Sequence, residues 1–250
     1  HGSEISNETY LGLTSADFED NPNRRYAASH GDEMRWSHKQ ASLTWRLLIG
    51  QNFDLRTVIY HHTLDREWFK VNSLSNGVSI HELLYLNPDT GMGEATLATL
   101  KGEVNSDETS AFIVKGTNDR QLKNYGIQTV GHWRLDTDVF SNELEFGFRW
   151  HKDEVFRLHT QSPWQMTEGI LSETPDPLET TLDSHTDATA VALHLHNHLT
   201  IGRFSILPGI RHERITSRVG PREDGPQDPK THSIWLPGLG LYVDALDWLT

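Results

Sequence analysis

The dominant pattern along the chain is a regular alternation of apolar and polar residues, which is typical of β-strands with two different faces. It is clearest in "NELEFGFRWHKDEVFRLH", residues 142–159, where large apolar residues occupy every second position of the first half: Leu144, Phe146, Phe148 and Trp150. The intervening positions are polar, charged or glycine. Such a strand needs an apolar medium on one face and water on the other. The medium is either a protein core or lipid.

The same alternation recurs in six further segments, so the sequence predicts about seven antiparallel strands and an all-β fold. These segments are residues 41–50, 53–69, 121–133, 188–201, 204–217 and 233–245. Several of the predicted strands reach about fifteen residues, and crossing the hydrocarbon takes roughly 9–11. Their outer ends would therefore stand clear of a bilayer.

The links between the predicted strands alternate strictly between short and long. Short links fall near residues 50–52, 134–141 and 202–203, and long polar links fall near 71–120, 160–185 and 219–232. Outer-membrane barrels show this alternation of short periplasmic turns and longer extracellular loops, whereas soluble sandwiches usually have modest loops at both ends. Within the first long link, "IHELLYLNP" predicts a short helix that ends at Pro88.

Composition and charge narrow the function classes. Only 36% of the residues are hydrophobic, the mean hydropathy is −0.56 and the formal net charge is −13. The acidic balance argues against a general nucleic-acid binder, which needs a basic face for phosphate contacts. There is no cysteine, which excludes disulfides and thiolate metal sites. No apolar run reaches the roughly 18 residues of a transmembrane helix, but membrane-spanning strands remain possible.

Two alternatives stay open on the pattern alone. The first is a soluble β-sandwich ligand-binding module, in which Trp133, Trp150 and Trp235 would fill the core. The second is a segment of a passive porin. In a membrane barrel the same three tryptophans, which lie near the ends of their strands, would suit the aromatic girdles at the two interfaces.

One distinctive stretch is "NETYLGLTSADFEDNPNRRYAAS", residues 7–29. It resembles a segment of TonB-dependent outer-membrane receptors of the ferric-citrate and siderophore type, in which it introduces a strand in the middle of the barrel. "NELEFGFRWHKDEVFRLH", "FSILPGIRHERI" and "LPGLGL" also resemble barrel strands of the group. The resemblance covers nearly the whole chain.

The resemblance implies a 22-stranded transmembrane barrel that is plugged by an N-terminal domain. Residues 1–250 would form a partial β-barrel domain of about seven strands, without the plug and the remaining strands. The implied function is active transport of a ferric chelate, either a siderophore or ferric citrate, in the bacterial outer membrane. The implied partners are the TonB complex, reached through the missing N-terminal region, the ferric chelate and the lipid bilayer. No cofactor and no nucleic-acid partner are expected.

Candidate ligand-binding residues lie on the face opposite the apolar one. Arg149, Arg157 and Arg211 share the parity of that face, and guanidinium groups are natural partners of an anionic ferric chelate. The competing interpretation is a ladder of cross-strand ion pairs against Glu145, Asp153 and Glu213 in a wet interior.

A second group of candidates is the "HLHNH" stretch. His194, His196 and His198 project from one face, but same-face neighbours are roughly 6.6–6.8 Å apart, which is too far for all three to bind one metal ion. They are therefore weak metal candidates, and lumen-lining polar groups are expected instead. The chain contains no G-x-S-x-G, H-E-x-x-H or phosphate-binding glycine loop, so no catalytic residues are assigned and no enzyme is predicted.

Overall fold

Nine strands form one sheet in the computed structural model, which describes residues 1–86, 91–225 and 227–244. The strands are β1 (Gly2–Ser6), β2 (Glu33–Ile49), β3 (Phe53–Leu74), β4 (Ile113–Asp136), β5 (Phe140–Thr167), β6 (Ile170–Glu173), β7 (Glu179–Ile201), β8 (Phe204–Gly220) and β9 (Gln227–Val243). Their spatial order is β1-β2-β3-β4-β5-β7-β8-β9, with the short β6 paired to β5. Neighbours in the sheet thus follow each other along the chain. The predicted all-β, up-and-down arrangement is confirmed.

The seven long strands, β2 to β5 and β7 to β9, match the predicted number but exceed the predicted length. They contain 17 to 28 residues each, against an expectation of about fifteen. β3 continues to Leu74 and β4 starts at Ile113, so both extend into the segment predicted as a link. The pattern missed these ends because the strands continue with polar residues on both faces, where alternation gives no signal.

Four short helices lie in the described links between strands: α1 (Ser15–Asp20), α2 (Ile80–Leu86), α3 (Gly91–Lys101) and α4 (Ser106–Thr109). A 3-10 turn covers Ala27–Ser29. α2 confirms the predicted helix, although its expected end at Pro88 lies outside the described residues. α3 was not predicted from the sequence, and it buries Leu97 and Leu100.

The described chain divides into two compact units. The first, here called the loop unit, comprises residues 1–38, 64–121 and 156–184. The second, here called the wall unit, comprises residues 39–63, 122–155 and 185–250, as far as they are described.

The loop unit has a conventional hydrophobic core. Its buried apolar residues come from the N-terminal segment, the helices and the polar ends of the strands: Leu11, Tyr26, Ala28, Val71, Leu74, Leu83, Leu97, Leu100, Ile113, Met166 and Leu171. Every residue of this cluster belongs to the loop unit. Burial of this kind, at about 25 cal/mol per Å² of apolar surface, allows the unit to be stable in water.

A buried polar network supplements the core of the loop unit. Thr14 caps α1, because its hydroxyl accepts a hydrogen bond from the backbone N–H of Asp17. The Asp17 carboxylate accepts a bond from the Tyr26 hydroxyl at 2.6 Å and pairs with Lys101 at 2.9 Å and Arg24 at 2.5 Å. Burial raises the pKa of Asp17, but the bonds from Tyr26, Lys101 and Thr14 outweigh it, so the pKa lies well below its usual value.

A second buried ion pair connects the N-terminal segment to β4. Lys115 and Asp32 are both fully buried and lie 2.7 Å apart. Asp32 also accepts a bond from the Thr9 hydroxyl, and the Lys115 ammonium donates to the backbone carbonyl of His30. The segment with the most specific sequence motif, residues 7–29, is thus held in place by bonds made within it and next to it.

The wall unit has no comparable core. Ala192 is the only buried hydrophobic residue among its described members. Large apolar side chains are instead exposed on the face predicted to be apolar: Leu43 (67%), Trp45 (52%), Ile59 (50%), Phe146 (36%), Phe148 (39%), Leu193 (52%) and Leu195 (47%). An exposed apolar surface of this extent is typical of a β-sheet that faces hydrocarbon.

The soluble-sandwich alternative is wrong, because the strands in the described ranges form a single sheet and no second sheet covers the apolar face. Trp133 and Trp235 are 53% and 63% exposed, which is incompatible with a role in a core. No described helix is long and apolar enough to cross a membrane.

The exposed apolar face generates a stability prediction. Phe148→Arg in the full-length protein should destabilise the sheet by roughly 2–4 kcal/mol, because an arginine side chain near the bilayer midplane loses its hydration. Equilibrium unfolding in lipid vesicles measures this change. Gln128→Arg, on the polar face, is the matched control and should have a much smaller effect. Equal effects of the two substitutions would contradict the assignment of the faces.

The Asp17 network generates a local prediction. Asp17→Asn should destabilise residues 14–26 by about 3 kcal/mol, at the lower end for a broken buried pair because solvent screens Arg24. Hydrogen exchange of the α1 amides measures the loss, with the exposed Glu19→Gln as control. Because the folded-state pKa of Asp17 is lowered, its contribution is present above the unfolded pKa and lost as the pH falls through the folded value. Protection that is unchanged in Asp17→Asn would refute this role.

Candidate functional site

The polar face of the wall unit carries a cavity of about 910 Å³. Charged and polar side chains from five strands line it, including Arg46 on β2, Arg56 on β3, His132 on β4, Glu145 on β5 and His194 on β7. These strands place the residues on one face because successive side chains of a strand point to opposite faces. Glu145 therefore lies on the polar face, as its parity predicted, and Arg46 lies on the same face.

A chain of imidazole and carboxylate groups crosses this polar face. His132 lies between two acids, with Nδ1 3.3 Å from the Asp54 carboxylate and Nε2 3.1 Å from that of Glu145. The other Glu145 oxygen is 2.9 Å from His194 Nε2. Arg134 donates to Asp54 from the far side, at 3.1 Å. The network links β3, β4, β5 and β7 through charge-assisted hydrogen bonds, which are stronger than those between neutral groups.

Gly147 makes the Glu145–His194 contact possible. The imidazole of His194 lies over Gly147, and a Cβ at that position would overlap the ring. Tyr60 lies over Gly126 in the same way, while its hydroxyl bonds His151 Nδ1 at 2.6 Å and His151 Nε2 bonds Asp153 at 2.7 Å. Glycines in these strands are thus sites where large side chains lie flat against the sheet.

The structure brings two of the three candidate arginines together. Arg149 and Arg211 line a small cavity of about 140 Å³ with His151 and Glu213. Arg211 Nε donates to Glu213 at 2.6 Å, along its own strand. Of the acids in the alternative interpretation, Glu145 and Asp153 bind histidines rather than arginines. The polar interior is therefore held together more by histidine–carboxylate contacts than by the cross-strand arginine pairs considered from the sequence.

Arg157, the third candidate, lies in the loop unit, where its neighbours are Arg66, Arg120 and His159. The sequence analysis missed Arg66 and Arg120. Arg120 lies in a segment predicted as a link, and neither residue stands out in the local pattern. Their proximity follows from strand register, which links residues that are distant in the sequence.

The candidate histidines diverge in their contacts. His194 binds Glu145, His196 lies beside Gly209, and His198 hydrogen-bonds Thr200 at 3.3 Å. Within the described residues, no group of three or more histidine or acidic side chains is arranged to hold a metal ion.

The single sheet, the exposed apolar face and the polar opposite face together define the chain as part of a transmembrane β-barrel of the outer-membrane type. The model of the family described as "TonB dependent receptor-like, beta-barrel" matches residues 3–250. The chain therefore belongs to the TonB-dependent receptor β-barrel family, whose members are outer-membrane transporters and receptors rather than enzymes.

Solved structures share this fold. The chain is similar to the ferric citrate transporter FecA in its unliganded form, with a TM-score of 0.62 and 17% identity over 94% of this chain and 29% of that one. BauA, the ferric preacinetobactin receptor of Acinetobacter baumannii, gives 0.60 and 9% identity over 98% and 34%. PiuA, a siderophore receptor of Acinetobacter baumannii, gives 0.57 and 9% over 88% and 32%. The chain thus spans about a third of the length of these structures. No curated protein sequence matches it.

The contact between Gly147 and His194 generates a prediction for the wall unit. Gly147→Ala should displace the His194 ring, break its bond to Glu145 and destabilise the barrel by about 1–3 kcal/mol through overpacking. Unfolding in lipid vesicles measures the change. Gly238→Ala is the control, because a Cβ at Gly238 meets no atom within 4 Å. If both variants unfold like the wild type, the overlap argument is wrong.

Proposed function

We propose that this chain is part of an outer-membrane active transporter that takes up a ferric chelate and is energised through the TonB complex. The family match over residues 3–250 carries the proposal. It is supported by the names of the similar structures, which describe a ferric citrate transporter, a ferric preacinetobactin receptor and a siderophore receptor.

The division of the chain into two kinds of surface fits this function. The wall unit presents an apolar face for lipid and a polar face for an aqueous interior. Short turns connect the strands of the wall unit. The loop unit is instead built from long segments that have a core of their own. Long extracellular loops on a rigid barrel are suited to capturing a ligand before it is moved inward.

A passive porin is the second candidate, and energy dependence separates the two. In iron-limited cells that express the full-length receptor, we expect uptake of radioactive iron, supplied as ferric citrate or as a ferric siderophore, to depend on TonB. Deletion of TonB should reduce uptake to background while the receptor remains in the outer membrane. Uptake at the same rate with and without TonB would favour the porin and refute the proposal.

The candidate arginines of the wall unit provide a finer test of the ligand path. Neutralising Arg149 and Arg211 together should reduce the rate of TonB-dependent uptake if the ligand passes the cavity that they line. Arg203→Gln, in the short turn between β7 and β8, is the control for loss of charge. An unchanged uptake rate in the double variant would remove Arg149 and Arg211 from the path.

A further inference from the structure

Three arginines of the loop unit lie in a row across three neighbouring strands. The Gln121 side chain bonds Asp65 and the Thr117 hydroxyl bonds that of Thr160, and these bonds fix the register between the strands. In that register Arg66 on β3 lies opposite Arg120 on β4, which lies opposite Arg157 on β5. Directly paired residues share a face of the sheet, so the three guanidinium groups project on the same side.

The spacing of the row suits a ligand with several anionic groups. Neighbouring strands lie roughly 4.7–4.9 Å apart, so the three side chains are distributed over about 10 Å. Each guanidinium offers planar pairs of N–H donors that match a carboxylate in a bidentate manner.

Donor groups in this row lack protein partners. Arg66 Nε, Arg157 Nε and His159 Nε2 are buried, and none has a hydrogen-bond partner among the described residues. Arg120 Nε donates to the uncharged side chain of Asn118. A buried polar group without a partner is unfavourable, and oxygen atoms of a bound ligand would satisfy these donors.

Electrostatic repulsion within the row also favours the binding of an anion. Burial and then the charges of Arg66 and Arg157 lower the pKa of Arg120. Burial and then Arg120, Arg157, Arg66 and Lys70 lower the pKa of His159. Burial and the neighbouring cations thus disfavour the charged form of His159, and the guanidinium groups carry the positive charge of the row. A bound anion would offset this repulsion.

Two aromatic side chains of the loop unit lie next to Lys70. Tyr10 and Trp68 meet edge to face at 5.7 Å, and the Lys70 ammonium lies 4.8 Å from the Tyr10 ring centre and 5.7 Å from that of Trp68. Trp68 and Lys70 follow Arg66 at alternate positions of β3, so they share its face. Trp68 is therefore a natural fluorescent reporter of binding at the row.

We propose that Arg66, Arg120 and Arg157 form a binding site for a ferric chelate with net negative charge carried on carboxylate groups. This inference rests on the proposed function and narrows its substrate class, because a neutral ferric trihydroxamate would gain nothing from the row.

The test uses the purified full-length receptor and quenching of tryptophan fluorescence by two probes, ferric citrate and a neutral ferric trihydroxamate. Arg120→Gln and Arg157→Gln should each weaken ferric citrate binding by roughly 10- to 100-fold, as expected for the loss of a charged hydrogen bond. Arg120→Lys should weaken binding less, since it keeps the charge and loses only the bidentate geometry. Arg203→Gln is the charge control and should bind like the wild type.

The possible outcomes distinguish a failure of the proposed binding site from a failure of the proposed transport function. A folded triple variant (Arg66, Arg120 and Arg157 to Gln) that retains wild-type affinity for ferric citrate would overturn the site, even if TonB-dependent uptake persists. Tighter wild-type binding of the neutral trihydroxamate would overturn the charge class and leave the transport function standing. A receptor that binds ferric citrate through the row but shows no TonB-dependent uptake of either probe would overturn the proposed transport function and leave the binding site standing. Circular dichroism and thermal unfolding show that each variant is folded before it is titrated.

Discussion

The exposed apolar face of the wall unit is the constraint from which the rest of the fold follows. Because Ala192 is its only buried hydrophobic residue in the described chain, packing of one protein layer on another cannot stabilise this unit. Antiparallel pairing satisfies the backbone groups of interior strands, as hydrocarbon demands, and side chains such as Trp45 and Phe148 then contact lipid. Because lipid rather than a protein core covers the apolar side chains, the opposite face can carry polar groups such as Asp54, Glu145 and their histidine partners.

The loop unit is stabilised in a different way from the wall unit. It has a hydrophobic core of its own, to which Leu97, Leu100 and Met166 contribute. The motif in residues 7–29 is part of this stabilisation, since Thr14, Asp17 and Tyr26 bond one another. The stretch that most clearly indicates the family therefore contributes to the stability of the loop unit.

Sequence reasoning succeeded where a local period carries the information. The alternation at Leu144, Phe146 and Phe148 was sufficient to predict the strand and its outward face. It failed where the information is tertiary. Strand ends beyond the apolar stretch, and helix α3, are set by packing in the loop unit. Parity correctly assigns a face but gives no position along the strand, which is why Arg157 was grouped with Arg149 and Arg211 although it belongs to another unit. The pairing of Arg66 with Arg120 depends on register and has no local signature.

The arginines of the two units differ in their charged neighbours. In the wall unit, Arg134 pairs with Asp54 and Arg211 with Glu213, and such pairs lower the cost of a charge near hydrocarbon. In the loop unit, three arginines instead lie beside one another, and the charges that act most strongly on Arg120 are two further cations. Such a row contributes repulsion and unfilled donors to the free protein. A bound anion would offset both, which is why we propose recognition of an anionic chelate, rather than stability of the fold, as the role of the row.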